Sequence, residues 1–407
     1  MKDKTISKLI EKEIERERNT VNLIASENYV SRDVLEALGS VFTNKYAEGY
    51  SRLRYYSGNN VVDELEKAVR DRALKLFRIY PKKWGVNIQA YSGSPANLAV
   101  YLALVPLGRK IMGLGLQMGG HLTHGHGVSV TGKLWRQVSY GVDKKTERLD
   151  YADILRVAKK EKPSLIVAGY TAYSRVIDFK KFRKIADACG AIFMVDMSHF
   201  AGLVAGGVYP SPFPYADIVT TTTHKTLCGP RSAIIFSKQE YSKAIDRAVF
   251  PGLQGGPHAN QIAAVGVALY EASRKSFRRY GSRVVKNARA LAKELQKRGW
   301  RIVSGGTDTH LFLVDTFARG ISGKQASDFL ETIGITVNKN TIPFDARSPV
   351  DPSGIRIGTP AVTTRGMKER EMREIAEIID AALLNKISTK TLKLRISKLA
   401  KQFPLEY

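Results

Sequence analysis

A chain of 407 residues with 64 Lys and Arg against 38 Asp and Glu carries a formal charge of +26, and at roughly 150 residues per domain it predicts two to three domains. Apolar residues at 43% and charged residues at 25% exclude a disordered, collagenous or coiled-coil chain. Two cysteines, Cys189 and Cys228, exclude a disulfide framework and a four-thiolate zinc site and predict a reducing, cytoplasmic setting.

The chain opens with Ile6, Leu9, Ile10 and Ile14 at helical spacing among Glu and Lys, an amphipathic helix whose apolar stripe needs a partner surface. This segment has no apolar core of the kind an export signal needs, and the run Leu98 to Leu107 is broken by Pro106, so neither a signal peptide nor a membrane span is predicted. Next come a helix over 60–77, a short strand at 87–91, a Ser-Gly-Ser-Pro turn and an apolar helix from about Ala96. Strand-like runs then alternate with amphipathic helices: strand 110–115, helix 151–160, strand 165–169, helix 179–188, and strands 191–195, 218–222 and 233–236. Alternation of this kind predicts a mostly parallel sheet flanked by helices, with ligands bound beyond the carboxyl ends of the strands. Beyond residue 270 the texture becomes a basic helix (276–298), a strand at 310–314, a helix at 324–333, a Pro/Asp/Ser/Gly loop, a strand and a helix at 368–384, which reads as a smaller α+β domain. The Lys-rich tail, 386–401, is expected to be loosely held.

Polar residues gather at the predicted strand ends. Asp196 and His199 follow an apolar strand, where they either bind a ligand or serve as a helix cap and a satisfied core imidazole. Lys225 lies in the run Thr220-Thr221-Thr222-Thr223-His224-Lys225-Thr226. Burial there would lower its pKa and free the amine to form a Schiff base, while the hydroxyls can hold a phosphate or simply reflect strand propensity. Ser92-Gly93-Ser94-Pro95 at a helix start is either an anion site or an ordinary N-terminus; neither a GxxxxGK[ST] nor a GxGxxG pattern accompanies it. His121, His124 and His126 sit among glycines, a setting that suits a loop approaching a flat ligand better than a metal centre, so no metal is predicted. Tyr46, Glu48, Tyr50, Tyr55 and Tyr56 cluster around one carboxylate and can serve acid/base chemistry, an interface, or both. Arg356, inside a short apolar strand, needs a carboxylate from the protein or from a substrate.

The segments LIASENY (23–29), NKYAEGY (44–50), RYYSG, SGSPAN, GGHLTHG, VDMSHFAGLVAGGVYP, TTTTHKTLCGPR, FPGLQGGP (250–257), SGGTDTHLFLVD (304–315), TVNKN and SGIRIGTPA together resemble the serine hydroxymethyltransferases, from about Asn22 through the helix ending near residue 384. The resemblance implies an α/β chain with the aspartate-aminotransferase type of pyridoxal-phosphate fold: an N-terminal arm (1–55), a large cofactor domain (56–275) and a small C-terminal domain (276–407). It also implies a homodimer with shared active sites.

Position by position, it implies that Lys225 forms the Schiff base with pyridoxal 5'-phosphate and that Asp196 pairs with the ring nitrogen. His121 would stack on the ring, with His199 near its phenolic oxygen. Gly93, Ser94 and Ser174 belong to the cofactor contacts, joined by Tyr46 and Gly256 of the other subunit. Ser26 and Arg356 would hold the amino-acid carboxylate with Tyr56 of the partner subunit nearby. Glu48 would move a proton between substrate hydroxyl and pterin, and Thr222, His224 and Arg231 would order the lysine. Tyr55, Leu116, Gly119, Gly120 and Asn340 would contact the reduced pterin. The implied reaction is reversible transfer of the serine hydroxymethyl carbon to a tetrahydropterin, giving glycine and the 5,10-methylene derivative.

Pro95 replaces a common glutamine and Met118 a more polar residue, which leaves the carrier open between tetrahydrofolate and a modified, archaeal-type pterin. Ser57 and Ser198 stand for a usual glycine and alanine. The rival within the fold is a pterin-independent aldolase acting on 3-hydroxy amino acids. The basic surplus, eleven Lys or Arg against Glu294 alone over 272–301, reads as a solvated face, and no nucleic-acid partner is expected.

Overall fold

The computed structural model describes residues 1–405; the last two residues of the expected C-terminal domain lie outside the described residues. The chain gathers into two compact units, one of Val30–Ser282 and one of Met1–Tyr29 with the chain from Arg283 onward. The two parts of the expected arm, 1–29 and 30–55, therefore belong to different units.

Seven strands make the sheet of the first unit: β1 (Trp84–Asn87), β2 (Lys110–Leu114), β3 (Arg136–Tyr140), β4 (Leu165–Gly169), β5 (Ile192–Asp196), β6 (Ile218–Thr222) and β7 (Ala233–Lys238). Their spatial order is β1-β7-β6-β5-β4-β2-β3. β7 runs antiparallel to both of its neighbours and every other pairing is parallel. β4 and β6 are buried along their whole length, as strands covered on both faces must be, which is why they read as unbroken apolar or Thr-rich runs. The crossover helices start where capping side chains allow. Asp150 accepts from the amides of Ala152 and Asp153, and Asp178 from that of Lys181, each satisfying donors that a helix start leaves open. Because β1, β2, β4, β5 and β6 share one direction, the segments that follow Asn87, Leu114, Gly169, Asp196 and Thr222 all emerge at one edge. Register puts Gly169 beside Asp196 and Asp196 beside Thr220.

Three readings need correction. The strand expected at 87–91 is Trp84–Asn87. There the Asn87 side chain accepts from the Gln89 amide at 2.9 Å and donates to Tyr50 and Asp246, turning the chain out of the sheet. The apolar helix begins at Gly93, not Ala96. The tail is not loosely held: Thr389–Gln402 is a helix capped by Ser388, with Leu392, Ile396 and Leu399 buried.

The second unit carries a four-stranded antiparallel sheet of β8 (Arg301–Ile302), β9 (Leu311–Asp315), β10 (Asn338–Asn340) and β11 (Gly354–Gly358), in the order β8-β9-β11-β10. Val21–Asn22 pairs with Ile335–Thr336 in parallel. Leu291, Leu295, Phe312, Ile355, Ile375 and Ile379 are among the residues that fill its core. The first helix, Lys4–Asn19, buries no residue, and its stripe of Ile6, Leu9 and Ile10 is 45–55% exposed.

Candidate active site

Asp196 closes β5 at the edge of the sheet where β2, β4 and β6 also end, and is buried. Its Oδ2 accepts from Asn97 Nδ2 at 2.9 Å and from His124 Nε2 at 3.1 Å, and its Oδ1 from the Ser198 amide at 3.0 Å. Burial acting alone would raise its pKa; the hydrogen bond and charge of His124, with help from His121 and Ser198, outweigh burial and hold the carboxyl far below the usual range. An ionised carboxylate offers about four acceptor sites, so these partners leave one for a cationic N–H. The ring of His121 is set by Thr123, whose Oγ1 lies 2.7 Å from Nδ1; the same hydroxyl accepts from Asn97 at 2.9 Å.

The loop carrying Lys225 is sewn to the loop after β5. The Thr222 amide donates to Ser198 Oγ at 3.0 Å, Thr226 Oγ1 donates to the His199 carbonyl at 3.1 Å, and the Gly202 amide donates to Thr226 Oγ1 at 2.9 Å. His199 is buried. His224 is pushed down to about 3 by burial and then by the charges of Lys225 and Arg231, so its imidazole is neutral, and its buried Nδ1 has no hydrogen-bond partner among the described residues. The helix Gly93–Leu104 begins at this same edge. A Cβ on Gly93 would come within 2.6 Å of Thr222 Cγ2, so only glycine lets the helix start sit this close to the end of β6. Ser92, its N-cap, spends no side-chain oxygen on capping, which leaves hydroxyls and first-turn amides for an anion.

A second group in the same unit joins Tyr46, Glu48, Tyr55 and Tyr56 to Gly255 and Gly256. Tyr46 meets Tyr56 edge-on at 5.1 Å and Tyr56 meets Tyr55 at 5.3 Å. A Cβ on Gly255 would lie 3.1 Å from Glu48 Oε1, and one on Gly256 3.4 Å from the Tyr46 ring. The Glu48 charge raises the Tyr46 phenol. Leu116, Gly119 and Gly120 form the turn after β2; the Gly119 carbonyl accepts from the amides of Thr171 and Ala172, tying it to the segment that leads to buried Ser174. Arg231 is exposed.

In the other unit, Arg356 in β11 donates from Nε to Asn338 Oδ1 at 3.0 Å and from Nη2 to Ser26 Oγ at 3.3 Å. Burial brings it down to about 10, with Glu27 opposing, so it remains a cation at neutral pH. Asn340 bonds through Nδ2 to the Thr341 carbonyl at 2.7 Å. Among the described residues, no group of three or more His, Cys, Asp and Glu is placed to hold a metal; His121, His124 and His126 bond instead to Thr123, Asp196 and the Val128 amide. Asn97, Thr123 and Asn338 were not singled out from the sequence as site residues. Asn97 had a signal, since it is the one amide in the apolar helix GSPANLAVYLAL.

A buried anion at the end of one central strand, a lysine just past the end of the next and a helix start at the same edge, on a sheet of this order, define a pyridoxal-phosphate-dependent enzyme of the aspartate-aminotransferase fold type. The family model described as Serine hydroxymethyltransferase matches residues 1–379. A protein of Acidobacterium capsulatum named Serine hydroxymethyltransferase is 52% identical over 406 residues, spanning 99% of this chain and 94% of that protein. The chain belongs to the serine hydroxymethyltransferase family.

Proposed function

We propose that the chain binds pyridoxal 5'-phosphate through the groups at the sheet edge and, as a homodimer in the cytoplasm, moves the serine hydroxymethyl carbon to a tetrahydropterin. The observation that carries this reading is the Asp196 carboxylate, buried, held ionised and left with acceptor capacity after Asn97, His124 and Ser198. The His224 Nδ1, which has no hydrogen-bond partner among the described residues, and the Gly93 helix start against Thr222 also fit a bound phosphorylated ring. When bound, that cofactor withdraws electron density from the substrate α-carbon, which is what allows the bond to the hydroxymethyl carbon to break.

Lys225 would anchor the cofactor covalently, Asp196 would hold the proton on its ring nitrogen, His121 would stack on the ring and His199 would serve its phenolic oxygen. Gly93 and Ser94 would hold the phosphate, with Ser174 among the cofactor contacts, and Tyr46 and Gly256 of the partner subunit would complete the set. Arg356 and Ser26 orient the serine carboxylate with Tyr56 of the partner subunit, and the planar guanidinium fork suits that carboxylate bidentately. Glu48 moves the proton between the substrate hydroxyl and the pterin. Thr222, His224 and Arg231 order the lysine, and Tyr55, Leu116, Gly119, Gly120 and Asn340 contact the pterin. The homodimer is supported by the exposed apolar groups Val41, Leu53, Tyr55 and Val61, each at least 63% exposed and close in sequence to Tyr46 and Tyr56, which are assigned to the shared site.

The test is serine cleavage assayed with and without tetrahydrofolate, alongside the visible absorption of the purified protein. Cleavage that depends on the pterin and a band lost in Lys225→Ala support the assignment. Equal rates with and without pterin would point to the aldolase, and a colourless protein that cannot be reconstituted overturns the cofactor assignment.

A further inference from the structure

Glu48 sits at the start of a two-residue hairpin in which Gly49–Tyr50 pairs antiparallel with Leu53–Arg54. All three carbonyls from Ala47 to Gly49 are held inside the chain. Arg54 Nη1 donates to the Ala47 carbonyl at 2.9 Å and to the Gly49 carbonyl at 2.7 Å, and the Tyr55 amide donates to the Glu48 carbonyl at 3.1 Å. Gln89 Nε2 makes a second bond to the Gly49 carbonyl at 3.0 Å. With both flanking peptide planes fixed, the direction in which Glu48 leaves the backbone is fixed as well.

The guanidinium that holds the Ala47 and Gly49 carbonyls is itself clamped. Arg54 pairs through Nε with Asp63 at 2.8 Å and through Nη2 with Glu66 at 3.0 Å, both from the helix Asn60–Phe77, and the Arg54 and Glu66 side chains are 5% and 2% exposed. Gln89 closes the ring by donating to Glu66 Oε1 at 2.9 Å. A buried ion cluster of this kind is weak evidence for stability, because desolvation offsets the attraction between the charges, but it does hold one geometry. None of Arg54, Asp63, Glu66 and Gln89 has a role in the chemistry proposed above.

We infer that Arg54, locked by Asp63 and Glu66 and assisted by Gln89, is a positioning residue that sets Glu48 for proton transfer. The inference rests on the proposed role of Glu48. Arg54→Lys is the direct probe, because an ammonium has three donors where the guanidinium has five in a rigid fork, and it cannot serve two carbonyls and two carboxylates at once. Gln89→Met is the milder one, since it leaves the Arg54 ion pairs in place.

The experiment is a double-mutant cycle of Arg54→Lys with Glu48→Gln in pterin-dependent serine cleavage, with hydrogen exchange measured on the protein before cofactor is added. Arg54→Lys is expected to lower kcat by roughly 10- to 100-fold with the KM for serine unchanged, and to cost less than about twofold once Glu48 is already Gln. Gln89→Met is expected to lose less in the same direction. Amide exchange should quicken over residues 46–57 and not across the sheet. An equal loss in both backgrounds, an unchanged kcat in Arg54→Lys, or exchange that is unaltered or raised everywhere overturns the inference while Glu48 keeps its role. Full activity of Glu48→Gln alone overturns the role of Glu48 and the inference together.

Discussion

Asn97 donates to the Asp196 carboxylate at 2.9 Å while its side-chain carbonyl accepts from Thr220 Oγ1 at 2.7 Å. The Thr220 hydroxyl thereby fixes which end of the amide faces the anion. The second N–H of Asn97 reaches Thr123, so one side chain ties the helix that starts at Gly93 to β5, to β6 and to the loop of His121.

Removing that amide leaves a buried carboxylate short of a donor. Asn97→Ala is expected to raise Asp196's pKa and weaken its proposed hold on a protonated ring nitrogen. A buried hydrogen bond to a charged group is worth about 1.5–3 kcal/mol, so the Kd for pyridoxal phosphate should rise roughly 10- to 100-fold, read by titrating the absorption band. An unchanged Kd would mean that His124 and Ser198 suffice.

His224 gives a pH dependence of known sign. Its folded pKa of about 3 lies below the ordinary value near 6.5, so between those limits the unfolded chain binds the extra proton. Stability is therefore complete above about pH 6.5 and declines as pH falls toward 3, by up to about one proton taken up on unfolding. Urea midpoints measured across that range should show a slope that flattens in His224→Gln. A variant with the same slope as the parent would assign the acid sensitivity to other groups.

The sheet was legible because buried parallel strands leave apolar runs. The strands 165–169 and 218–222 were read to the residue. β3 went unread because RQVSY, at the sheet edge, is only partly buried and carries no such run. Lysines masked the helix Thr389–Gln402, although Leu392, Ile396 and Leu399 keep helical spacing. Within the site, residues at strand ends could be found from local sequence, but Asn97 bonding to Asp196 and Asn338 bonding to Arg356 are pairings 99 and 18 residues apart that no local pattern encodes.

Arg365 explains why the tail is ordered. It is buried, and it donates to the carbonyls of Glu17, Arg18 and Thr20 at the end of the first helix and to those of Ala400 and Phe403 at the end of the last. A cation at two helix C-termini meets carbonyls that the helices cannot satisfy themselves. Arg365→Met should destabilise the chain by about 3 kcal/mol and speed tryptic cleavage between Lys390 and Lys401. Arg365→Lys should fall between, having fewer donors. Unchanged cleavage in Arg365→Met would show that Leu392, Ile396 and Leu399 hold the tail without the clamp.

The proposed sharing of active sites makes a sharper prediction than a dimer alone. Lys225→Ala removes the proposed anchor but leaves Glu48 and Tyr56 intact; Glu48→Gln does the reverse. If each site takes its lysine from one subunit and its glutamate from the other, a mixed dimer holds one site with both groups present. Random pairing of equal amounts makes about half of all dimers mixed, so co-refolding the two inactive variants should restore about one quarter of the parental activity. If lysine and glutamate of one chain serve the same site, every site in the mixture lacks one of them and no activity returns. Size-exclusion chromatography of differently tagged variants confirms that mixed dimers have formed, which makes a null result decisive against Lys225 and Glu48 coming from different subunits.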